Sequence, residues 1–169
     1  FASIVTCGLS DRIAVLATVS GLYDPKGCAP DVAKPVLSFH GTGDRFIPFD
    51  GGIGEGPANL GLSPETTAGL TFMLERPGAL ASSAAWAKRA GCDAEPIEES
   101  TAEEVGPGVS LQVWPGCRDD MDVELYVIAG GEHSWRGSVG MGAYEGLLGP
   151  VSTQIDATRV IWDFFEVRT

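Results

Sequence analysis

Basic residues are scarce in this chain: 11 Lys and Arg stand against 23 Asp and Glu in 169 residues, a formal net charge of −12. Binding nucleic-acid phosphates or an anionic membrane surface takes clustered cations. Those present are scattered singly, so neither partner is expected. No apolar run reaches the roughly 18 residues needed to span a bilayer, and no basic-then-apolar opening reads as a signal peptide. Histidine is scarcer still, with His40 and His133 alone. A zinc centre takes three or four ligands at suitable spacing. Two histidines with scattered acids do not supply them, and no metal or other cofactor is expected. The chain also lacks Gly-x-Ser-x-Gly, the elbow that exposes a nucleophilic serine between a strand and a helix. Gly8-Leu9-Ser10-Asp11-Arg12 has no second glycine. Gly137-Ser138-Val139-Gly140 has Arg136 where the first glycine should stand and no strand before it. Ser134 adjoins His133 and is badly placed to point at it.

What is present is enough for one globular domain with a sizeable core: 44% of the residues are hydrophobic and 20% charged, ordinary values for a soluble protein. Gly at 23 and Pro at 11 imply many turns. The four cysteines, Cys7, Cys28, Cys92 and Cys117, show no C-x-x-C spacing and admit three disulfide pairings, or four reduced thiols. Local pairing, Cys7 with Cys28 and Cys92 with Cys117, would close two short loops, each stabilising by about 3 kcal/mol in the chain-entropy model. Such pairing would place the protein outside the cytosol. The chain opens on Phe1 and not on Met, which reads as a fragment or a processed product.

Residues 1–9 have helical spacing, and 13–19 form an apolar, β-branched run bounded by Gly21, the pattern of a strand. Pro25, Gly27 and Pro30 make 22–34 a loop. Residues 35–39 are almost continuously apolar, as in a strand buried on both faces of a parallel sheet. A glycine-rich stretch follows, after which 72–74 suit a short helix. Pro77 near a start and Gly91 past an end bracket a helix over 78–90, with Lys88 and Arg89 in its last turn. Residues 109–114 and 122–129 alternate as an antiparallel pair, Val123, Leu125 and Val127 facing one way and Glu124, Tyr126 and Ile128 the other. Val151, Ile155, Thr158, Trp162 and Phe165 form the stripe of a final amphipathic helix, with Ser152 as its cap. The order of elements favours an α/β fold.

Two polar groups stand at strand ends. Asp44 follows its strand through Gly41-Thr42-Gly43, which puts a carboxylate at the carboxyl edge of the sheet, where open α/β sheets place their sites. The bland alternative is an Asp that binds turn amides. His133 follows its own strand through Gly130-Gly131-Glu132, about 90 positions later. An imidazole titrates near neutrality, as a proton shuttle must. Together they suit the orienting acid and general base of a Ser-His-Asp triad. His40 reads instead as a buried, hydrogen-bonded residue shaping the acid's turn. Trp86 reads as core, and Trp135, two residues past His133, as equally suited to packing or to lining a substrate cleft.

These residues together resemble a known group, the secreted α/β-hydrolase esterases that include polyhydroxybutyrate depolymerases of the LpqC type, with feruloyl and acetylxylan esterases close by. The segments that carry the resemblance run along nearly the whole chain. They are Ser10-Asp11-Arg12-Ile13-Ala14, Val19-Ser20-Gly21, His40-Gly41-Thr42-Gly43-Asp44, Ile47-Pro48-Phe49-Asp50-Gly51-Gly52, Trp86-Ala87, Gly91-Cys92, Gly116-Cys117, Val123-Glu124-Leu125-Tyr126, His133-Ser134-Trp135 and Ile155-Asp156-Ala157 to Trp162-Asp163-Phe164-Phe165. The resemblance implies that Asp44 is the triad acid and His133 the base, that the two local cysteine pairs are bonded, and that the serine elbow lies just before Phe1. It implies the C-terminal part of an α/β-hydrolase fold over 1–169, a single partial domain. The strands would be the last three parallel ones of an eight-stranded sheet, with 109–114 an added antiparallel neighbour. Arg136 departs from the proline usual after the His-x-Trp motif, and Glu132 from a glycine more common before the histidine.

The expectation is therefore a secreted carboxylic ester hydrolase acting on a polyester or on feruloyl or acetyl esters of polysaccharide, inactive without its N-terminal half. Catalysis would rest on Asp44 and His133, with Trp135 against the substrate. The alternative is a noncatalytic interaction module that kept the fold.

Overall fold

The computed structural model describes all residues except 30, 53, 57–60, 75, 101–104, 120, 139–143 and 169, and only the backbone of 70–74 and 100. In chain order the elements are α1 (Ala2–Gly8), β1 (Leu16–Val19), β2 (Val36–Gly41), β3 (Gly51–Gly52), α2 (Pro64–Leu74), β4 (Arg76–Pro77), α3 (Ala79–Ala90), β5 (Ile97–Ser100), β6 (Val109–Trp114), β7 (Val123–Ile128), α4 (Glu145–Leu148) and α5 (Ala157–Glu166). Five strands form one mixed sheet in the order β1-β2-β7-β6-β5. β1, β2 and β7 run parallel, while β6 is antiparallel to β7 and β5 to β6. Strands with helices along both faces make this an α/β arrangement.

Side-chain alternation divides the core between the two faces of the sheet. From β2 and β7, Val36, Val123 and Leu125 pack with Trp86, Ala87 and Ala90 of α3. Leu37, Phe39 and Ile128 pack on the opposite side with Ala157 and Phe164 of α5. All six residues of β2 are buried, as its continuous apolar run requires. Phe39 and Tyr126, register partners on neighbouring strands, stack with ring centroids 4.9 Å apart.

α3 is alanine-rich, and alanine loses no side-chain entropy in a helix. It ends at Gly91, whose φ of 72° is left-handed and strained for any residue with a side chain; the Cys92 N–H then reaches back to the Ala87 carbonyl at 3.0 Å. Arg89 does more than answer the helix dipole. Its guanidinium binds the Asp24 carboxylate and the Ala29 carbonyl, while the Trp86 indole N–H donates to the Tyr23 carbonyl at 3.0 Å. α3 thus holds down the irregular segment 22–34. Two disulfides add to this: Cys7–Cys28 ties α1 to that segment, and Cys92–Cys117 ties the end of α3 to the turn between β6 and β7. Each closes a loop of 21 or 25 residues, a constraint of about 3 kcal/mol on the unfolded chain.

Several elements differ from the sequence reading. β1 begins at Leu16 and not at 13, because only from there is the strand paired with β2. β2 runs on through His40 and Gly41, paired with Val127 and Ile128. α2 is longer than 72–74, and β3, β4, β5 and α4 were not anticipated. The final helix starts at Ala157, capped by Asp156, whose carboxylate accepts the Arg159 N–H at 3.1 Å. Ser152 is not its cap; its hydroxyl bonds Gln154 at 2.8 Å. Moving the start moves the stripe, so Ala157, Val160, Ile161 and Phe164 face the sheet. Trp162 is 63% exposed, its indole N–H on Glu166.

Candidate active site

Asp44 and His133 meet where β2 and β7 end side by side. The loop after β2 and the loop after β7 are stitched together by backbone and side chain. Thr42 N–H donates to the Ile128 carbonyl and Gly43 N–H to that of Gly131, both at 3.0 Å, and Gly130 N–H donates to the Thr42 hydroxyl at 2.8 Å. Gly41 is required for this approach, since a Cβ there would overlap the Gly131 carbonyl and press on the Arg136 guanidinium. Across the outside, Arg45 Nε donates to Glu132 Oε2 at 2.9 Å.

The Asp44 side chain is fully buried. Its Oδ1 accepts the N–H groups of Phe46 and Ile47, each at 2.9 Å, the turn-binding role open to any Asp in this position. Its Oδ2 accepts the His133 Nδ1–H at 2.8 Å. One oxygen serves the turn and the other the imidazole, so binding the turn amides does not keep Asp44 from His133. Burial raises the carboxyl's pKa, but the hydrogen bond and charge of His133 and the bonds from Ile47 and Ser20 outweigh it, leaving Asp44 below its ordinary value. An ionised Asp44 can only accept. His133 therefore carries its proton on Nδ1 and presents Nε2 as an acceptor, the tautomer a general base needs. Among the described residues Nε2 has no hydrogen-bond partner. The Phe46 ring stacks on the imidazole, centroids 5.1 Å apart, and the His133 side chain is 26% exposed.

His40 lies beneath this pair. It is buried, its Nε2 hydrogen-bonds the Ile47 carbonyl at 2.8 Å, and it sits 3.9 Å from Asp44 Oδ2. Burial holds its pKa below the usual histidine value, against the Ile47 carbonyl and Asp44, which raise it; Arg136 and His133 push it lower still. A neutral His40 fits a residue shaping the acid's turn.

The Ser134 hydroxyl donates to the Pro150 carbonyl at 3.0 Å and is buried, so it is committed away from the imidazole. Trp135 is 42% exposed and is anchored to α5 through its indole N–H on the Thr158 hydroxyl at 2.9 Å. Trp86 is fully buried. Among the described residues no group of three or more His, Cys, Asp or Glu could hold a metal ion, and no helix is long and apolar enough to cross a membrane.

Residue-type reasoning missed Arg136, Ser20, Phe46 and the Arg45–Glu132 pair as parts of this site. Arg136 stood out in the sequence only as the residue after Trp135 where the resemblance leads one to expect proline. In the structure its side chain is fully buried beside Gly41, reaching the Ser134 carbonyl and the Ser20 hydroxyl.

Fold and site define a class: a mixed α/β sheet whose adjacent parallel strands deliver a buried carboxylate and a partly exposed imidazole, hydrogen-bonded in the acid–base sense. No family model matches the chain. It is similar to feruloyl esterase B of Piromyces equi, 29% identical over 133 residues, which is 76% of this chain and 22% of that protein. The chain thus spans about a fifth of the length of the curated relative it matches. This distant, partial likeness suggests an esterase.

Proposed function

We propose that the chain is the acid–base half of a secreted serine carboxylic ester hydrolase with the α/β-hydrolase fold, acting on feruloyl esters of polysaccharide. The observation that carries the reading is the 2.8 Å bond from His133 Nδ1–H to buried Asp44 Oδ2 between two strand ends. The name of the partial relative favours the feruloyl substrate over polyester or acetyl esters. Two disulfides favour an oxidising compartment.

In this reading a serine outside the 169 residues attacks the ester carbonyl. His133 Nε2 takes its proton and returns it to the leaving alcohol, and Asp44 holds the imidazole and stabilises the imidazolium. Water then releases the acyl group by the same steps in reverse. β1 pairs only with β2 among the described strands, so its outer edge is where a strand bearing the serine elbow would lie. Trp135, exposed two residues from His133, would offer an aromatic face to a feruloyl ring.

The test is product release by the longer protein that carries this chain, offered a feruloylated oligosaccharide, an acetylated xylan and polyhydroxybutyrate. Ferulate release that collapses in a folded His133→Ala variant supports the reading. Unchanged turnover in that variant removes His133 as base, and an absence of hydrolysis on all three substrates favours an interaction module.

A further inference from the structure

His133 stands in an irregular segment after β7, so where its Cα sits depends on what its neighbours in the chain touch. Glu132 precedes it and Ser134 follows it, and the segment 149–152 holds both. The Glu132 side chain lies directly on the backbone of Gly149, where a Cβ would overlap it and where φ is 80°. The buried Ser134 hydroxyl donates to the Pro150 carbonyl at 3.0 Å, and the Gly137 N–H donates to the Ser152 carbonyl at 2.9 Å. Contacts thus fall in order, 132 with 149, 134 with 150 and 137 with 152, so the later segment runs beside the histidine-bearing one as a strap. The strap is itself tied to α4, through the Gly149 N–H on the Glu145 carbonyl at 2.9 Å. Glu132 also reaches the acid's loop: its Oε2 accepts from Arg45 Nε at 2.9 Å, and Arg45 follows Asp44 directly. One side chain therefore links the strap, the base's segment and the acid's turn.

We propose that Glu132 is a positioning residue for the base: bound to Arg45 and seated on Gly149, it fixes the backbone at His133 so that Nδ1–H stays aimed at Asp44 Oδ2, with Ser134 on Pro150 as the second hold. The catalytic meaning of this role rests on the esterase reading, while its geometry lies within the chain. Asp44 and the Phe46 ring orient the imidazole directly. Glu132 and Ser134 act one step back, because planar peptides on either side of His133 leave its Cα little freedom once both neighbours are held. An exposed ion pair contributes little through charge alone. Here the Arg45 side chain is 54% exposed and that of Glu132 only 21%, and the glutamate stem cannot swing away without leaving Gly149. A glycine at 132, which the resemblance leads one to expect, would lose both contacts.

The experiment follows solvent exchange of the His133 Nδ1–H by nitrogen-resolved NMR of the 169-residue chain, comparing Glu132→Ala, Glu132→Gln and Ser134→Ala with the parent. Exchange of a bonded proton requires a local opening. Glu132→Ala removes the acceptor of Arg45 and the atoms beyond Cβ that rest on Gly149, and should speed exchange about fivefold, the weight of one net hydrogen bond. Glu132→Gln keeps a carbonyl acceptor and the same stem, and should stay within about twofold of the parent. Ser134→Ala should speed exchange about fivefold as well. The amide of Phe39, buried in β2, should exchange as in the parent throughout, which separates a held histidine from a general loss of stability. In the longer protein, Glu132→Ala should lower kcat by a similar factor and leave KM unchanged. An exchange rate within about twofold of the parent in Glu132→Ala, an equal acceleration at Phe39, or a Glu132→Gln variant as fast as Glu132→Ala overturns the proposal. Should Ser134→Ala not fold, the partly exposed Glu132 variants decide it alone. If exchange accelerates as expected while the parent hydrolyses no ester, the positioning role stands and the esterase reading falls.

Discussion

Replacing Asp44 by Asn changes one atom and tests the whole proton path. The asparagine carbonyl can keep the place of Oδ1 and accept the Phe46 and Ile47 N–H groups, both at 2.9 Å in the parent. Its NH2 then faces Nδ1 of His133, and an NH2 is a donor only. Nδ1 must give up its proton, which moves to Nε2, and the ring can no longer accept one there. Turning the amide over would restore the tautomer but set the NH2 against two backbone donors, costing two hydrogen bonds, about 2 kcal/mol together, or a factor of about 30. The imidazolium formed during turnover also loses its counter-charge. At charge centres about 4 Å apart and an effective dielectric of about 20, that is roughly 4 kcal/mol, or about a thousandfold. The expected loss in kcat is therefore of order 10⁴, with folding little changed.

Two assays check this separately. Nitrogen NMR of His133 in the chain itself should show the proton on Nδ1 in the parent and on Nε2 in Asp44→Asn. Turnover by the longer protein should fall in proportion, with KM nearly constant. If Nδ1 keeps its proton in the variant, or kcat stays within about tenfold of the parent, Asp44 does not set the tautomer and the argument fails.

Three other perturbations follow from the geometry. Glu124, on the buried start of β7, has its pKa pushed up to about 7, chiefly by burial, with Arg168 pulling it down and Asp122 and Glu99 pushing it up. Its folded pKa lies above the unfolded one, so its favourable share of stability is present below about pH 4.5 and is lost as pH rises through about 7. Glu124→Gln should leave thermal unfolding at pH 4 nearly unchanged and raise Tm at pH 8, by at most about 3 kcal/mol of stability; an unchanged Tm at pH 8 contradicts the burial argument. Gly41→Ala should lower denaturant stability by about 1–3 kcal/mol and erase the His133 Nδ1–H resonance, because the new methyl meets the Gly131 backbone, which cannot step aside. Asp156→Ala should cost about 1 kcal/mol in urea titration and Ser152→Ala almost nothing, whereas the reverse order would return the helix start to Ser152.

How much of this was legible in the sequence depended on whether a residue acts through local pattern or through distant partners. β1 and β2 were visible because apolar runs ended in glycine turns, β7 because its residues alternate, and Asp44 and His133 because each stood just past a glycine turn. β5 was hidden because Ile97-Glu98-Glu99-Ser100 carries two charges in four residues; an outer strand uses charge to deter further pairing, and the same charge masks the strand. The final helix was placed too early because Val151 and Ile155 fit the spacing, although only Asp156 supplies an acceptor to the free N–H groups of the first turn. In the sequence Arg136 stands out only as a departure from the proline that the resemblance leads one to expect, and arginine is seldom buried. Only the fold shows that Arg136 is enclosed, because its neighbours Ser20 and Gly41 lie at the ends of β1 and β2.

On the proposed esterase reading, the way the two loops are joined determines what a nucleophile from outside these residues would have to bring. Three hydrogen bonds between them, each worth about 1 kcal/mol net, and the Arg45–Glu132 pair, worth at most about 1 kcal/mol where it is exposed, connect residues 42–45 to 128–132. None of these contacts involves β1's free edge. The carboxylate, the tautomer and the ring orientation are therefore set within β2, β7 and their loops. A serine presented beside β1 would meet an acid–base pair already aligned. Its own placement then becomes the variable on which turnover depends. On that reading, damage to the β1 edge should abolish hydrolysis while leaving the His133 Nδ1–H resonance intact, whereas damage to Gly41 should remove both.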